Sequence, residues 1–310
     1  MAFIFPGQGS QSPGMGKAFH DAFGSARAVF QEVDEALSHN LSRLIFEGPE
    51  DELTLTANAQ PALMAVSLAA MGALKAEFNV DVQKAAYVAG HSLGEYSALA
   101  AVGALSIADA AKLLRIRGNA MQVAVPVGEG AMAALIGKVD CPKAEEIVAA
   151  AQGAGTVVVA NDNNIGNVVL SGAMAAVDAA FAAAKVRGVR AIPLSVSAPF
   201  HSPLMAPAAE AMARALEVIA LASLSVPLVA NVTARPVSAP ADIRRLLVEQ
   251  VTGRVRWRES VEWMAEQGVE TFVEVGSGKQ LAGMVKRIAP DAQALSLNEP
   301  ADLEAFAKTI

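Results

Sequence analysis

The chain is poor in cysteine, aromatics and charge: of 310 residues one is cysteine, two are tryptophan, two are tyrosine, and 18% are charged. The lone Cys141 has no partner in the chain, so no internal disulfide forms and a reducing, cytoplasmic setting is expected. Basic residues number 24 against 31 acidic ones, a net charge of −7, which argues against a general nucleic-acid binder. An acidic partner would need a local basic patch. The opening Met1-Ala2-Phe3-Ile4-Phe5-Pro6-Gly7 has no basic leader and breaks at once into a Gly/Pro turn, so it is not read as a signal peptide. The longest uncharged stretch, Leu53 to Leu74, carries Thr54, Thr56, Asn58, Gln60 and Pro61. Its apolar part is too short for a membrane span, and a buried helix starting near Pro61 is expected. The N-terminal glycines lack the Lys-Ser/Thr ending of a phosphate-binding loop, and no metal-ligand cluster is visible. Neither metal nor cofactor is expected.

What remains is a chain with 53% hydrophobic residues, ample for a core. Its length suits one large domain carrying a smaller insert. Short β-like runs alternate with helical patterns, the mark of a mainly parallel sheet covered by helices. Strands are expected at Ala2–Phe5, Ala85–Ala89, Val226–Val232, Thr271–Val275 and Ala294–Leu297. The middle reads differently: strand Ala131–Ile136, helix Pro142–Ala151, strand Thr156–Ala160, turn Asn161–Gly166, strand Asn167–Leu170, helix Ala173–Val186, strand Arg190–Val196. That β-α-β-β-α-β order is ferredoxin-like. Residues 128–196 are therefore expected to form a small domain inserted between 1–127 and 197–310, with Pro126-Val127-Gly128 and Ser197-Ala198-Pro199 as its flanks.

Gly90-His91-Ser92-Leu93-Gly94 fits G-x-S-x-G between an expected strand and an expected helix. Small neighbours let a strained turn push the Ser92 hydroxyl off the sheet edge. The N–H of Leu93 and the helix N-terminus then face the site where an oxyanion develops. A tight turn with no chemistry is the plain alternative. A serine hydroxyl needs a base. His20 and His39 sit on polar stretches and read as solvated, and His91 is committed to the turn. His201, hemmed by Pro199 and Pro203 after a strand, is held stiffly enough to serve, although an ordinary loop histidine fits equally well. Asp162 is the one acidic candidate at a strand end for a third member, and orientation by something other than a carboxylate is an equal option.

Ile107 to Gln122 reads as a helix whose apolar stripe is Ile107, Ala110, Ala111, Leu114, Gly118 and Met121. Lys112, Arg115, Asn119 and Gln122 fall on the wet side, whereas Arg117 lies at the edge of the stripe. A structural ion pair or a snorkelling side chain is the commoner explanation. Recognition of a ligand carboxylate by the planar guanidinium is the sharper one.

Several segments, in one order, resemble the malonyl-CoA:acyl carrier protein transacylase family of fatty acid synthesis over essentially the whole chain. They are Phe5-Pro6-Gly7-Gln8-Gly9-Ser10-Gln11, Thr56-Ala57-Asn58-Ala59-Gln60-Pro61-Ala62, Gly90-His91-Ser92-Leu93-Gly94-Glu95-Tyr96, Arg115-Ile116-Arg117-Gly118, Ala198-Pro199-Phe200-His201-Ser202, Asn231-Val232-Thr233 and Glu274-Val275-Gly276-Ser277-Gly278. The resemblance implies an α/β fold, with an α/β-hydrolase-like large domain and the ferredoxin-like insert. It implies a malonyl ester on Ser92, formed from malonyl-CoA and discharged to the phosphopantetheine thiol of acyl carrier protein. His201 would be the base, oriented by a main-chain carbonyl that matches Gln250. The backbone N–H groups of Gln11 and Leu93 would form the oxyanion hole, and Arg117 would clamp the malonyl carboxylate. Leu93 and Phe200 match the malonyl-using members. Docking of an acidic carrier would fall to Lys185, Arg187 and Arg190 or to Lys286 and Arg287, while Arg254, Arg256 and Arg258 receive no role. A monomer is expected. A serine esterase or thioesterase is the alternative activity.

Overall fold

The computed structural model describes residues 1–196 and 198–310; the expected flank at Ser197 lies outside the described residues. Ten strands among them form two sheets: β1 (Ala2–Phe5), β2 (Tyr87–Gly90), β3 (Gly130–Ile136), β4 (Val157–Asn164), β5 (Asn167–Ala173), β6 (Arg190–Pro193), β7 (Leu228–Ala230), β8 (Arg235–Val237), β9 (Thr271–Val275) and β10 (Gln293–Leu297). The larger sheet runs β10-β9-β1-β2-β7-β8, parallel throughout except for the terminal β7–β8 pair. β1 is buried at all four positions, as a central parallel strand sandwiched between helices must be. The helices Gly24–Leu37, Thr56–Phe78 and Ile107–Val123 belong to the core on one face of this sheet. Trp257–Glu266 and Gln280–Ile288 belong to the core on the other.

Among the described residues Thr56–Phe78 is long and apolar enough to cross a membrane, and it lies mostly buried within the protein. It begins five residues before the expected Pro61, which sits inside the helix. Burial of nearly every residue from Thr56 to Leu74 outweighs the one backbone bond that proline forfeits. This early start carries the Gln60 side chain into the interior.

The second sheet is wholly antiparallel, ordered β4-β5-β3-β6, with the helices Cys141–Ala151 and Met174–Val186 over its own core. Its β-α-β-β-α-β order is the ferredoxin-like one expected. The polar run Asn161–Gly166 is not the expected turn: β4 continues through Asn164, and only Ile165 and Gly166 turn. The pairing with β5 is irregular at two places there, as bulges allow. The strand end also bonds to the larger unit, with Val255 N donating to Ala160 O and Asp162 N donating to Val255 O. β8 was not expected, because proline at position 236 masks a strand that survives only at the sheet edge.

β1 and β2 are parallel neighbours in the sheet, with Phe5 opposite Gly90. Their carboxyl ends therefore open side by side, the position at which parallel sheets gather ligands.

Candidate active site

Ser92 sits where β2 hands over to the helix Gly94–Ala101, with φ of 53°. That left-handed backbone is strained for a non-glycine residue and is characteristic of a nucleophile elbow. The flanking glycines are required sterically. A Cβ on Gly90 would stand 1.9 Å from the carbonyl carbon of Gly94, and one on Gly94 would stand 2.3 Å from Phe5 O. Leu93 is buried at the start of the helix. The loop after β1 lies alongside, with Ser277 Oγ donating to Ser10 O and Gln280 Nε2 donating to Gly9 O. Gln11 turns back on this loop, its Oε1 accepting from Gly9 N, and lines the same cleft as Ser92.

His201 is buried, with φ of 55°, and its Nε2 lies 2.7 Å from Ser92 Oγ. Its Nδ1 faces Gln250 O at 2.9 Å and Gly253 O at 3.2 Å. Carbonyl oxygens only accept, so Nδ1 carries the proton and Nε2 offers its lone pair to the serine hydroxyl. These oxygens are available because the helix Pro240–Thr252 ends beside them, and the last carbonyls of a helix have no partner within it. Burial, reinforced by the Arg117 charge, holds the imidazole down at a pKa of about 3. Asp162 is not the third member: its carboxylate is bound by Arg258 Nη2 at 2.8 Å and Arg258 Nε at 3.1 Å.

Arg117 is 1% exposed. Its helix packs so closely on Thr56–Phe78 that a Cβ on Gly118 would stand 2.6 Å from Ala57 Cα. The guanidinium donates from Nη1 to Gln60 Oε1 at 2.8 Å, and from Nη2 to Gln250 Oε1 at 2.8 Å and Ser92 Oγ at 3.0 Å. Arg115 and His39 depart from the solvated reading. Both are half-buried, and Arg115 bonds Asn58 Oδ1 at 2.6 Å and His39 Nδ1 at 3.0 Å. His20 is half-buried as well, against Phe30 and Phe46.

A polar cage beneath Ser92 escaped the sequence reading, although Glu95 and Asn231 lie within the quoted segments and Gln250 was expected to offer its main-chain carbonyl. Asn231 Oδ1 accepts from Ser92 N, and Asn231 Nδ2 donates to Gly90 O. Gln250 Nε2 donates to Ser92 O at 2.8 Å and to Glu95 Oε2 at 2.6 Å. Asn231 N donates to the other Glu95 oxygen. The backbone of the strained serine is thus held on both sides. Burial raises the Glu95 carboxyl to a pKa of about 8, against the opposing pull of the Asn231 and Gln250 donors and of Arg117. The one available signal was a glutamate directly after the elbow, at the start of the alanine-rich helix Gly94–Ala101. On the opposite wall, His91 Nε2 meets Asn163 Oδ1 at 2.9 Å.

The cleft, about 410 Å³, lies between the two sheets. Gly7–Gln11, Ser92, Arg117 and His201 line it from the larger unit, and Met132, Asn161, Asn163 and Val169 from the smaller one. The three arginines without an expected role tie structure together: Arg254 pairs with Glu145, Arg256 with Glu259, and Arg258 with Asp162 and Glu262. Lys185, Arg190, Lys286 and Arg287 are exposed, while Arg187 is half-buried and donates to Ala183 O.

A family model described as an acyl transferase domain matches residues 2–297. The chain is 44% identical over 312 residues to the malonyl CoA-acyl carrier protein transacylase of Bacillus subtilis (strain 168), covering 100% of this chain and 97% of that protein. The crystal structure of the acyl-carrier-protein-S-malonyltransferase from Bartonella henselae matches with a TM-score of 0.97 at 54% identity, over 99% of this chain and 98% of that one. A malonyl-transacylase solved in complex with its type II PKS acyl-carrier protein matches with a TM-score of 0.95 at 40% identity, over 100% and 99% of the two chains.

Proposed function

The chain belongs to the acyl transferase domain family, and on that footing we propose that it moves malonyl groups from malonyl-CoA to the phosphopantetheine thiol of acyl carrier protein through an ester on Ser92. The observation that carries this reading is the convergence on Ser92 Oγ of His201 Nε2 at 2.7 Å and Arg117 Nη2 at 3.0 Å. His201 takes the hydroxyl proton as Oγ attacks the thioester carbonyl. The oxyanion forms against the N–H groups of Leu93 and Gln11. When the C–S bond breaks, His201 returns the proton to the departing CoA thiolate. In the second half the carrier thiol gives its proton to His201, its sulfur attacks the ester carbonyl, and Ser92 leaves with that proton. The carbonyls of Gln250 and Gly253 hold the imidazole through both halves in place of a carboxylate. No metal or redox group is needed, since a thioester is already activated.

Arg117 supplies the selectivity in this reading. Its planar fork suits a carboxylate, and an acyl group without one leaves a desolvated cation with no counter-ion, which such sites discriminate against strongly. The catalytic unit comprises residues 1–127 and 197–310, with 128–196 forming the smaller unit that closes the cleft. Lys286 and Arg287 share a helix with the cleft residues Gln280, Leu281 and Met284 and, with Lys185 and Arg190, are the docking candidates for an acidic carrier.

Intact-mass measurement after mixing with malonyl-CoA tests the reading. A malonyl adduct is expected on the wild type and not on Ser92→Ala. Carrier protein should discharge it far faster than water does. Equal discharge rates would make the protein an esterase.

A further inference from the structure

The partners of Arg117 share one property: none of those in hydrogen-bond contact carries a charge. Gln60 Oε1 and Gln250 Oε1 each accept at 2.8 Å, Ser92 Oγ accepts at 3.0 Å, and the Tyr96 ring lies 5.9 Å from the guanidinium carbon. Among the described residues no carboxylate is a hydrogen-bond partner of Arg117, and its Nε is buried without a partner. The nearest acid in the network, Glu95, is kept one amide away, bonded to Gln250 Nε2. A buried arginine ordinarily acquires a carboxylate, and this one is held in place by neutral oxygens instead.

Gln60 is the partner with no other task. It comes from the buried helix Thr56–Phe78, lines the cleft, and is 1% exposed. Its Nε2 rests 3.7 Å from Met121 Sδ, a weak acceptor, which leaves Oε1 directed at the guanidinium. An amide oxygen fixes the fork by hydrogen bonding without cancelling its charge. A glutamate of the same shape would fix it equally well and would neutralise it.

We propose that Gln60 is a positioning residue for specificity: its neutral oxygen holds Arg117 in register while leaving the full positive charge for the carboxylate of the acyl group. This rests on the reading of Arg117 as the carboxylate clamp. The cleft therefore selects acyl groups with a terminal carboxylate because Arg117 arrives with its charge unspent.

The test compares acyl-enzyme formation from malonyl-CoA and acetyl-CoA in the full-length protein, as a ratio of kcat/KM values. Gln60→Glu should lower the malonyl-to-acetyl ratio on the order of 10²-fold, chiefly through a higher KM for malonyl-CoA. Gln60→Met removes the acceptor without adding charge. With Arg117 no longer held in register, the malonyl-to-acetyl ratio should fall, but by less than in Gln60→Glu, because the positive charge remains. A Gln60→Glu or a Gln60→Met enzyme that keeps the wild-type ratio overturns the proposal even if the other variant does not fold. Arg117→Ala separates the two levels. If it collapses the ratio while Gln60→Glu does not, the clamp stands and the role of Gln60 falls. If Arg117→Ala keeps the ratio, the clamp itself is wrong.

Discussion

Arg117 Nη2 lies 3.0 Å from Ser92 Oγ, so the buried cation of the cleft touches the oxygen proposed as the nucleophile. The two side chains are 25 residues apart in sequence. They meet because the helix Ile107–Val123 packs its glycine against Thr56–Phe78 directly behind the elbow. A carboxylate docked on that guanidinium is held about one short acyl chain from the nucleophile.

Replacing the guanidinium therefore removes both a charge and a geometry. Arg117→Ala should lower the rate of Ser92 acylation by malonyl-CoA on the order of 10³-fold while raising relative use of acetyl-CoA. Arg117→Lys keeps the charge and loses the fork, and should recover only a small part of the rate. Single-turnover acylation followed by intact mass separates these outcomes. An unchanged preference in the alanine variant would remove Arg117 from substrate recognition.

The second prediction concerns pH. The proposed base, His201, can work only when neutral, and burial lowers its pKa from the usual 6.5 to about 3. Acylation of the free enzyme should then stay flat from pH ~8 to pH ~5, with no inflection near 6.5. The stability effect has a definite sign. Between about 3 and 6.5 the unfolded chain binds a proton that the folded one refuses, so this contribution is full above 6.5 and is lost as pH falls toward 3. Acid denaturation of the wild type compared with His201→Gln should show the difference. A wild-type acylation profile that titrates near 6.5 would contradict the buried-imidazole geometry.

How much of this could be seen in the sequence follows the range of each interaction. The elbow was legible because its requirements are local: a strand, two glycines that cannot take a Cβ, and a helix within a few residues. Arg117 stood out by helical phase. The orienting group of His201 was not legible from residue types, because a main-chain carbonyl has no side-chain signature; only the family resemblance pointed to Gln250. The Asn161–Asn164 segment was misread for a related reason. Its polar residues look like a turn until Val255, far along the chain, supplies the backbone partners that keep it extended. Half-burial of Arg115 and His39 likewise depends on a contact across 76 residues.

Glu95 yields the third prediction. Its carboxyl is pushed up from 4.5 to about 8, mainly by burial, so its contribution to stability is full below 4.5 and is lost as pH rises through about 8. Thermal stability should decline from pH ~5 to pH ~9, and Glu95→Gln should flatten that decline. The same variant keeps only one acceptor for two donors, so either Gln250 Nε2 or Asn231 N loses its oxygen and the cage under Ser92 and Arg117 loosens. Acylation should fall at least about tenfold at every pH. A Glu95→Gln enzyme with wild-type kinetics would show that the cage does not position the arginine.

The pair Asp162–Arg258 yields the last prediction, and it discriminates between a carboxylate and main-chain carbonyls as the group that orients His201. Asp162 is 1% exposed and spends its oxygens on Arg258, from the helix Trp257–Glu266. It thereby fastens the end of β4 to the larger unit, beside the bridge between Asn161 and Val255. Arg258 keeps Glu262 and part of its solvent, so Asp162→Asn should cost only about 1–2 kcal/mol in urea denaturation, from the weakened bonds to the guanidinium. Catalysis should barely respond, because His201 Nδ1 donates to the carbonyls of Gln250 and Gly253 and has no need of an acid. Malonyl transfer within about threefold of wild type is expected below the unfolding range. An acid that oriented the imidazole would instead lower kcat by roughly 10⁴-fold on neutralisation, and a loss of that size with the fold intact would put a carboxylate back behind His201.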